Sequence, residues 1–385
     1  MTQTIDQEYV STTLQQLVQI NSTNPTLAVG NAGEAQIAAH IAGLLEQLGL
    51  DISLHEIKPG RPNVIGILRG GGSGRSLLIN GHMDTVGVDG MADPFSGEIR
   101  DGKLYGRGAQ DMKASLAAML GAAKALVDNN NRPAGDLILA FVVDEEMLSI
   151  GTADLVKHVR ADAAIVTEPT DLTICRAHRG FIWYEIETVG RAAHGSRYLE
   201  GIDANMHMGR FLADLDRLEK ELRQRPPHPL AGPPSLHASK IQGGSEISVY
   251  AANCLLQIER RTIPGETVPQ ATAELQAIID RLAAEDPTFK ATLKATFDRD
   301  PFEISSNAPV VQSLERVTST HLGHAPQHSG QTFWTDAALL AGAGIDTVLI
   351  GPIGAGLHSA EEWVDLQSVY ALTAILADTA VDFCN

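Results

Sequence analysis

"LILAFVVDEEMLSIGT", residues 137–152, runs seven apolar residues from Leu137 to Val143 straight into Asp144, Glu145 and Glu146. A short bare apolar run is the pattern of a strand buried on both faces. Three carboxylates at its end are costly unless something positive waits there. The same texture recurs upstream in "NVIGILR" (63–69) and "SLLING" (76–81), and downstream in "AAIVT" (163–167) and "DTVLIGP" (346–352). Helical stripes alternate with these runs. Leu14, Leu17 and Val18 form one, and Ile37, Ile41, Leu44, Leu45 and Leu48 form another that ends near Gly49. The alternation predicts an α/β fold with a buried, largely parallel sheet flanked by helices. The tract "RGGGSG" (69–74) reads as a hairpin or loop between two strands, not a phosphate cradle, because no helix opens after it.

From about residue 180 the texture changes. "FIWYEIETV" (181–189) alternates, and a helix carrying Met208, Phe211, Leu215, Leu218 and Leu222 follows and is broken by "RQRPPHPLAGPP" (223–234). Then come "LHASKIQ" (236–242), "CLLQIERRT" (254–262), a helix with Ala271, Leu275, Ile278 and Leu282, and "KATLKATF" (290–297). That is a β-α-β-β-α-β order. The sequence therefore divides as a first part of one domain over 1–178, an inserted α+β domain over 179–296, and the remainder of the first domain over 297–385, closing with a helix from about Glu362.

The 385 residues are 44% hydrophobic and 20% charged, as in ordinary globular proteins, and exceed what one core usually serves. A formal charge of −18 speaks against nucleic acid or an anionic membrane as partner, since phosphate contacts need a basic face. No apolar run approaches the ~20 residues that span a bilayer. The N-terminal stretch reads as a helix, not a signal peptide. Cys175, Cys254 and Cys384 are odd in number and far apart, which suits neither a disulfide framework nor a thiolate site and points to a reducing cytoplasm.

Polar residues gather where the bare strands end: His82 and Asp84, Asp111, Glu145 and Glu146, Glu168, and His358. Active sites of open α/β sheets lie at the carboxyl ends of strands. A pair of imidazoles with several carboxylates is a ligand set for Zn²⁺ or a similar divalent ion. Singly, each has an ordinary reading: a loop histidine, an Asp111 helix cap, a Glu168 surface turn. Together those readings weaken, because mutual repulsion would otherwise push some carboxylates neutral. Asp144 reads as an ordinary polar residue.

"GHMDTV" (81–86), "GRGAQDMK" (106–113), "DEE" (144–146), "TEPT" (167–170) and "GLHSAEEW" (356–363), in this order, resemble the co-catalytic zinc hydrolases. That family includes acetylornithine deacetylase, succinyl-diaminopimelate desuccinylase, aminoacylase and the glutamate carboxypeptidases. The resemblance spans essentially the whole chain. It implies a catalytic domain with two divalent ions (zinc, with cobalt or manganese as alternatives) and a lid domain that commonly mediates dimerisation. It implies His82, Asp111, Glu146, Glu168 and His358 as metal ligands, with Asp111 bridging and followed by a cis peptide to Met112. Asp84 would orient the His82 ring. Glu145 would be the general base that activates a metal-bridging water, since adjacent side chains of an extended segment face opposite ways.

In the insert, "GRAAHGS" (190–196) resembles the family segment whose histidine, here His194, reaches a reacting carbonyl across a homodimer. "AANCLLQIERRTIPGE" (251–266) resembles the strand that supplies Asn253 and Arg261 to the substrate, with Arg260 a competing candidate. Arg176, His178, Arg179 and Arg197 suit an anionic substrate or, equally, salt bridges. Two departures from the family pattern stand out: Ala114 where Gly is frequent, and no aromatic residue before Asp93. The implied reaction is hydrolysis of an N-acyl amino acid. A carboxypeptidase or dipeptidase with the same centre is the near alternative, and a non-catalytic binding protein the distant one.

Overall fold

The computed structural model describes residues 3–27 and 30–385. The chain forms two compact units: Met1–Arg176 with Ile304–Ser329 and Thr335–Asn385, and Ala177–Glu303 with Gly330–Trp334. The sequence reading set the insert at 179–296; the compact unit also takes in the short return segment at 330–334.

In the first unit, α1 (Gln7–Gln19) starts at Asp6, whose side chain accepts from the Tyr9 N–H, and buries Val10, Leu14, Leu17 and Val18. Helix α2 (Ala35–Gln47) buries Ile37, Ile41 and Leu45 and stops at Gly49, which takes the left-handed φ of 73°. Strands β1 (Asp51–Lys58) and β2 (Arg61–Leu68) form an antiparallel hairpin. Next come β3 (Leu77–His82), the short β4 (Glu98–Arg100) and β5 (Lys103–Tyr105), then α3 (Ala114–Asp128). Strand β6 (Leu137–Val142), α4 (Ile150–His158), β7 (Ala163–Val166) and β8 (Ile174–His178) follow.

The second unit is β9 (Gly180–Val189), α5 (Ala204–Gln224), β10 (Ser235–Gly243), β11 (Asn253–Thr262), α6 (Val268–Glu285), β12 (Lys290–Arg299) and β13 (Phe302–Glu303). Its sheet runs β10-β11-β9-β12, antiparallel throughout. Helices α5 and α6 cover one face, closing a core of Ile182, Tyr184, Ile186, Phe211, Leu256 and Leu275 among others. The alternation along β11 is strict: Cys254, Leu256, Ile258 and Arg260 are buried, while Asn253 is exposed and Gln257, Glu259 and Arg261 are partly exposed.

The chain then supplies α7 (Pro309–Leu322), β14 (His328–Gln331), α8 (Ala337–Gly342), β15 (Asp346–Leu349), β16 (Gly354–Ala355), β17 (Trp363–Asp365) and α9 (Leu366–Cys384). The last helix starts at Leu366, not near Glu362, because 363–365 are spent pairing β17 with β5. The main sheet runs β1-β2-β6-β3-β7-β15-β8. It is mixed, which corrects the largely parallel expectation: β6, β3, β7 and β15 are parallel, while β1–β2, β2–β6 and β15–β8 pair antiparallel. The glycine tract is a loop and not a hairpin, since β6 lies between β2 and β3; its amides of Gly71 and Gly72 donate to Pro133 and Ala134 carbonyls. Helix α3 packs between α1 and α9, and α2 packs on β1 and β2. Both β3 and β6 are buried along their full length, so each large aliphatic there contributes ~1.5–3 kcal/mol. No helix of the described residues is long and apolar enough to cross a membrane.

Candidate metal centre

The parallel strands set the site. Their register places His82 level with Val142 and Asn80 level with Val166, so residues just past β6 and β7 emerge beside His82. His82 Nε2 lies 3.1 Å from Asp111 Oδ1, 3.5 Å from Glu168 Oε1 and 3.9 Å from Glu145 Oε2. The second oxygen of Asp111 faces elsewhere: Oδ2 is 3.2 Å from His358 Nε2, which is also 3.2 Å from Glu146 Oε2. Asp111 thus stands between the two imidazoles with one oxygen toward each. Ligand atoms of His82, Glu145 and Glu168 lie within 4.8 Å of one another, as do those of His82, Asp111 and Glu146. Asp111 is not a helix cap; it sits in an irregular turn ahead of α3, and the Asp111–Met112 peptide is cis.

Beneath this cluster lies a buried polar network. The Asp84 carboxylate accepts from the amides of Glu145 (3.1 Å) and Glu146 (3.2 Å) and from Asn24 Nδ2 (2.7 Å). The contact to the His82 ring comes instead from the Asp84 backbone: its carbonyl accepts from Nδ1 at 2.9 Å, while the carboxylate is 3.6 Å away. Nδ1 therefore carries a proton, and Nε2 is the ring nitrogen that faces the carboxylates and would give up its own proton to bind an ion. Asp144 is far from ordinary. It is fully buried at φ 66°, accepts from Asn24 and Thr26, and pairs with Arg61 at 2.8 Å. Arg61 in turn makes a two-pronged contact with the buried Glu34. So the positive group demanded by the run of three carboxylates is Arg61 at Asp144, together with the imidazoles at Glu145 and Glu146.

Burial pushes the Glu145 and Glu168 carboxyls well above the ordinary range, with the Glu168 charge adding to the first and those of Asp111 and Glu146 to the second. Glu146 is pushed up to about 7, by burial and then by Asp111. Burial also opposes charge on Asp111, but hydrogen bonds from His358 and His82 hold it well below. Burial disfavours a charged His82, yet Glu168, Asp111 and Glu145 hold it well above its usual value. His358 rises to about 10 through Asp111 and Glu146. Protons thus compensate a crowd of acids, the role a divalent cation takes when it binds.

In the inserted unit His194 is exposed, and its Nδ1 accepts from the Ser196 amide at 3.3 Å with the Ser196 hydroxyl 2.9 Å away. Arg260 is buried and paired with Glu266 and Glu274. Arg261 lies on the open face of β11, near Glu259 at 2.7 Å and over the Phe181 ring. Asn253, at the other end of that strand, donates to Glu187. Among the basic residues of the sequence reading, Arg197 pairs with Glu200, Arg176 donates to His328 and Ile304, Arg179 donates to the Ala231 carbonyl, and His178 is buried with Nδ1 on the Arg179 carbonyl.

Residues 78–382 match the profile of peptidase family M20/M25/M40. The chain belongs to that family. A Bacillus subtilis relative, N-formyl-4-amino-5-aminomethyl-2-methylpyrimidine deformylase, is 31% identical over 381 residues, covering 91% of this chain and 89% of its own. The acetylornithine deacetylase of Myxococcus xanthus is 29% identical, with 97% of both chains covered. The aminopeptidase PepT structure from Bacillus cereus superposes with a TM-score of 0.81 at 19% identity, covering 98% of this chain and 99% of that one, a likeness of fold.

For an M20 protein the donor set is chemically coherent. Imidazole nitrogens and carboxylate oxygens suit Zn²⁺, Co²⁺ or Mn²⁺. Glu146 Oε1 is buried without a hydrogen-bond partner among the described residues, as a ligand atom awaiting a cation would be. The clustered ligand groups and the M20 fold make this a dinuclear metallohydrolase. Reading the sequence missed Glu362, Arg107, Asn24, Arg61 and the weight of Asp144. A charge count along "DEE" signals that a cation is needed, but not which distant one supplies it.

Proposed function

We propose that this M20 hydrolase deacylates an N-acyl amino acid, with Glu145 as its proton shuttle. The observation that carries the reading is the position of Glu145. Its carboxylate lies 3.9 Å from His82 Nε2, at the edge of the ligand cluster, and among the described residues it has no hydrogen-bond partner. Its backbone is fixed by Asp84. Two divalent ions, zinc in the first instance, would be held by His82, Asp111, Glu146, Glu168 and His358. When bound, such ions polarise the scissile carbonyl and acidify water. Glu145, with a raised proton affinity, takes a proton from the attacking water and delivers it to the nitrogen of the leaving amine. The products are a carboxylate and a free amino acid. In this reading the His194 Nε2–H, brought by the partner protomer of a homodimer, steadies the oxyanion. Arg261 and Asn253 hold the substrate's polar ends; Arg260 is already neutralised within the insert.

The similarity to the pyrimidine deformylase favours a second reading, removal of a formyl group from an amine that is not an amino acid. A panel of N-acetyl, N-succinyl and N-formyl amino acids, an N-formyl aminomethylpyrimidine and dipeptides, scored by release of free amine, separates these readings. Turnover confined to dipeptides moves the chain to the dipeptidases. No amine release from any substrate by protein loaded with two ions overturns the hydrolase reading.

A further inference from the structure

Glu362 is the least expected residue of the catalytic unit. It is 1% exposed, and its carboxylate accepts four hydrogen bonds, all from residues 107–111. Oε1 accepts from the amides of Gln110 (2.9 Å) and Asp111 (3.0 Å), and Oε2 from the amide of Gly108 (2.9 Å) and Arg107 Nη1 (2.6 Å). Gly108 makes the wrap possible: its φ is 80°, and a Cβ there would come within 2.7 Å of Thr85. Arg107, equally buried, points its other nitrogens at the carbonyls of Gly87 and Ser359. Ser359 follows His358 directly. The pair therefore grips the segment that carries Asp111 at one end and the segment that carries His358 at the other.

Holding the chain together does not require this carboxylate. Strand β17 already pairs with β5, Trp363 opposite Tyr105, and joins the same two segments through their backbones. What the carboxylate adds is addressed to amides 108, 110 and 111, the peptide units that set the direction of the Asp111 side chain. His358 is the ligand candidate with the weakest support of its own: its side chain is 54% exposed and its φ is 56°, in a loop between β16 and β17. We propose that the Arg107–Glu362 pair is a positioning device that sets Asp111 and His358 at a fixed separation, and thereby governs occupancy of the one ion position that His358 helps to form. The position around His82 and Glu168, built on strand ends, shares only Asp111 with that device and depends on it less.

This rests on the two-ion reading above, and the test keeps the two apart. Metal-free wild-type protein and the Glu362→Gln variant are titrated with Co²⁺, with stoichiometry measured by elemental analysis after gel filtration and affinity by calorimetry. Wild type is expected to take two ions per chain. Glu362→Gln is expected to weaken the ion at His82 by less than ~10-fold and the other by ~10–100-fold, the range for groups that orient metal ligands. Arg107→Gln, which leaves the carboxylate on the amides and cuts the tie to Ser359, is expected to show the same selective loss, and it stands in if Glu362→Gln does not fold. Trp363→Val serves as control for the strand pairing: it lowers the thermal stability of the metal-free protein and retains both ions. Binding of both ions at wild-type affinity in the Glu362 and Arg107 variants overturns the proposal. So does equal weakening of both ions. A wild type that takes a single ion overturns the two-ion reading itself.

Discussion

Replacing Asp144 by Asn removes one charge from a buried ladder, Glu34–Arg61–Asp144, while keeping a residue that tolerates φ 66°. Cutting one partner out of a buried pair costs about 3 kcal/mol, so Asp144→Asn should lower stability by that order in chemical denaturation, although the side chain touches no ion position. Its neighbours should fail differently. Glu145→Gln is expected to keep both ions and lose at least ~10²-fold in kcat with KM little changed. Glu146→Gln is expected to bind metal more weakly and to recover activity partly with excess zinc. The reverse pattern in metal analysis would exchange the two roles. Much of the candidate site was readable as motifs, because ligand types at strand ends are a local property of the sequence. The supporting residues were not. Glu362 acts on backbone amides, which every residue carries, and Asn24 and Arg61 meet Asp144 across 120 and 83 positions of sequence.

Helix α3 carries a test of packing at the level of elements. Gly121 lies in its middle, where alanine would ordinarily gain up to ~1 kcal/mol of helix propensity. Here a Cβ would meet Val10 of α1 at 2.5 Å and Thr373 of α9 at 2.9 Å. Overpacking costs ~1–3 kcal/mol, so Gly121→Ala should destabilise on balance, measured by thermal unfolding, and an increase in melting temperature would show that the three helices are not so closely seated. The bare strands β2, β3, β6, β7 and β15 and the helices α1 and α2 of the first unit were legible from their patterns, and the β-α-β-β-α-β order of the second from its alternation. Strand direction was not. A bare apolar run such as that of β6 looks alike whether its neighbour is the parallel β3 or the antiparallel β2; direction depends on where each connection crosses, which hydrophobicity does not encode.

At the scale of the whole molecule, the proposed homodimer predicts complementation. His194→Ala and Glu145→Ala chains, each inactive alone, should regain part of the activity when mixed under conditions of subunit exchange, because one site of the hybrid receives both native groups. Exchange demonstrated by mass spectrometry without returning activity would count against the arrangement in trans. The interruption of the first unit by the second has a temporal consequence. Glu168 leaves the ribosome 190 positions before His358, and β15, which completes the parallel core against β7, comes near the end of the same interval. At ~5–20 residues per second, that is about 10–40 s during which His82, Asp111, Glu145, Glu146 and Glu168 exist without the second imidazole and without Glu362. A growing chain therefore passes through a stage that can offer a cation four of the five proposed ligands, and assembly of the centre waits for the segment 358–362.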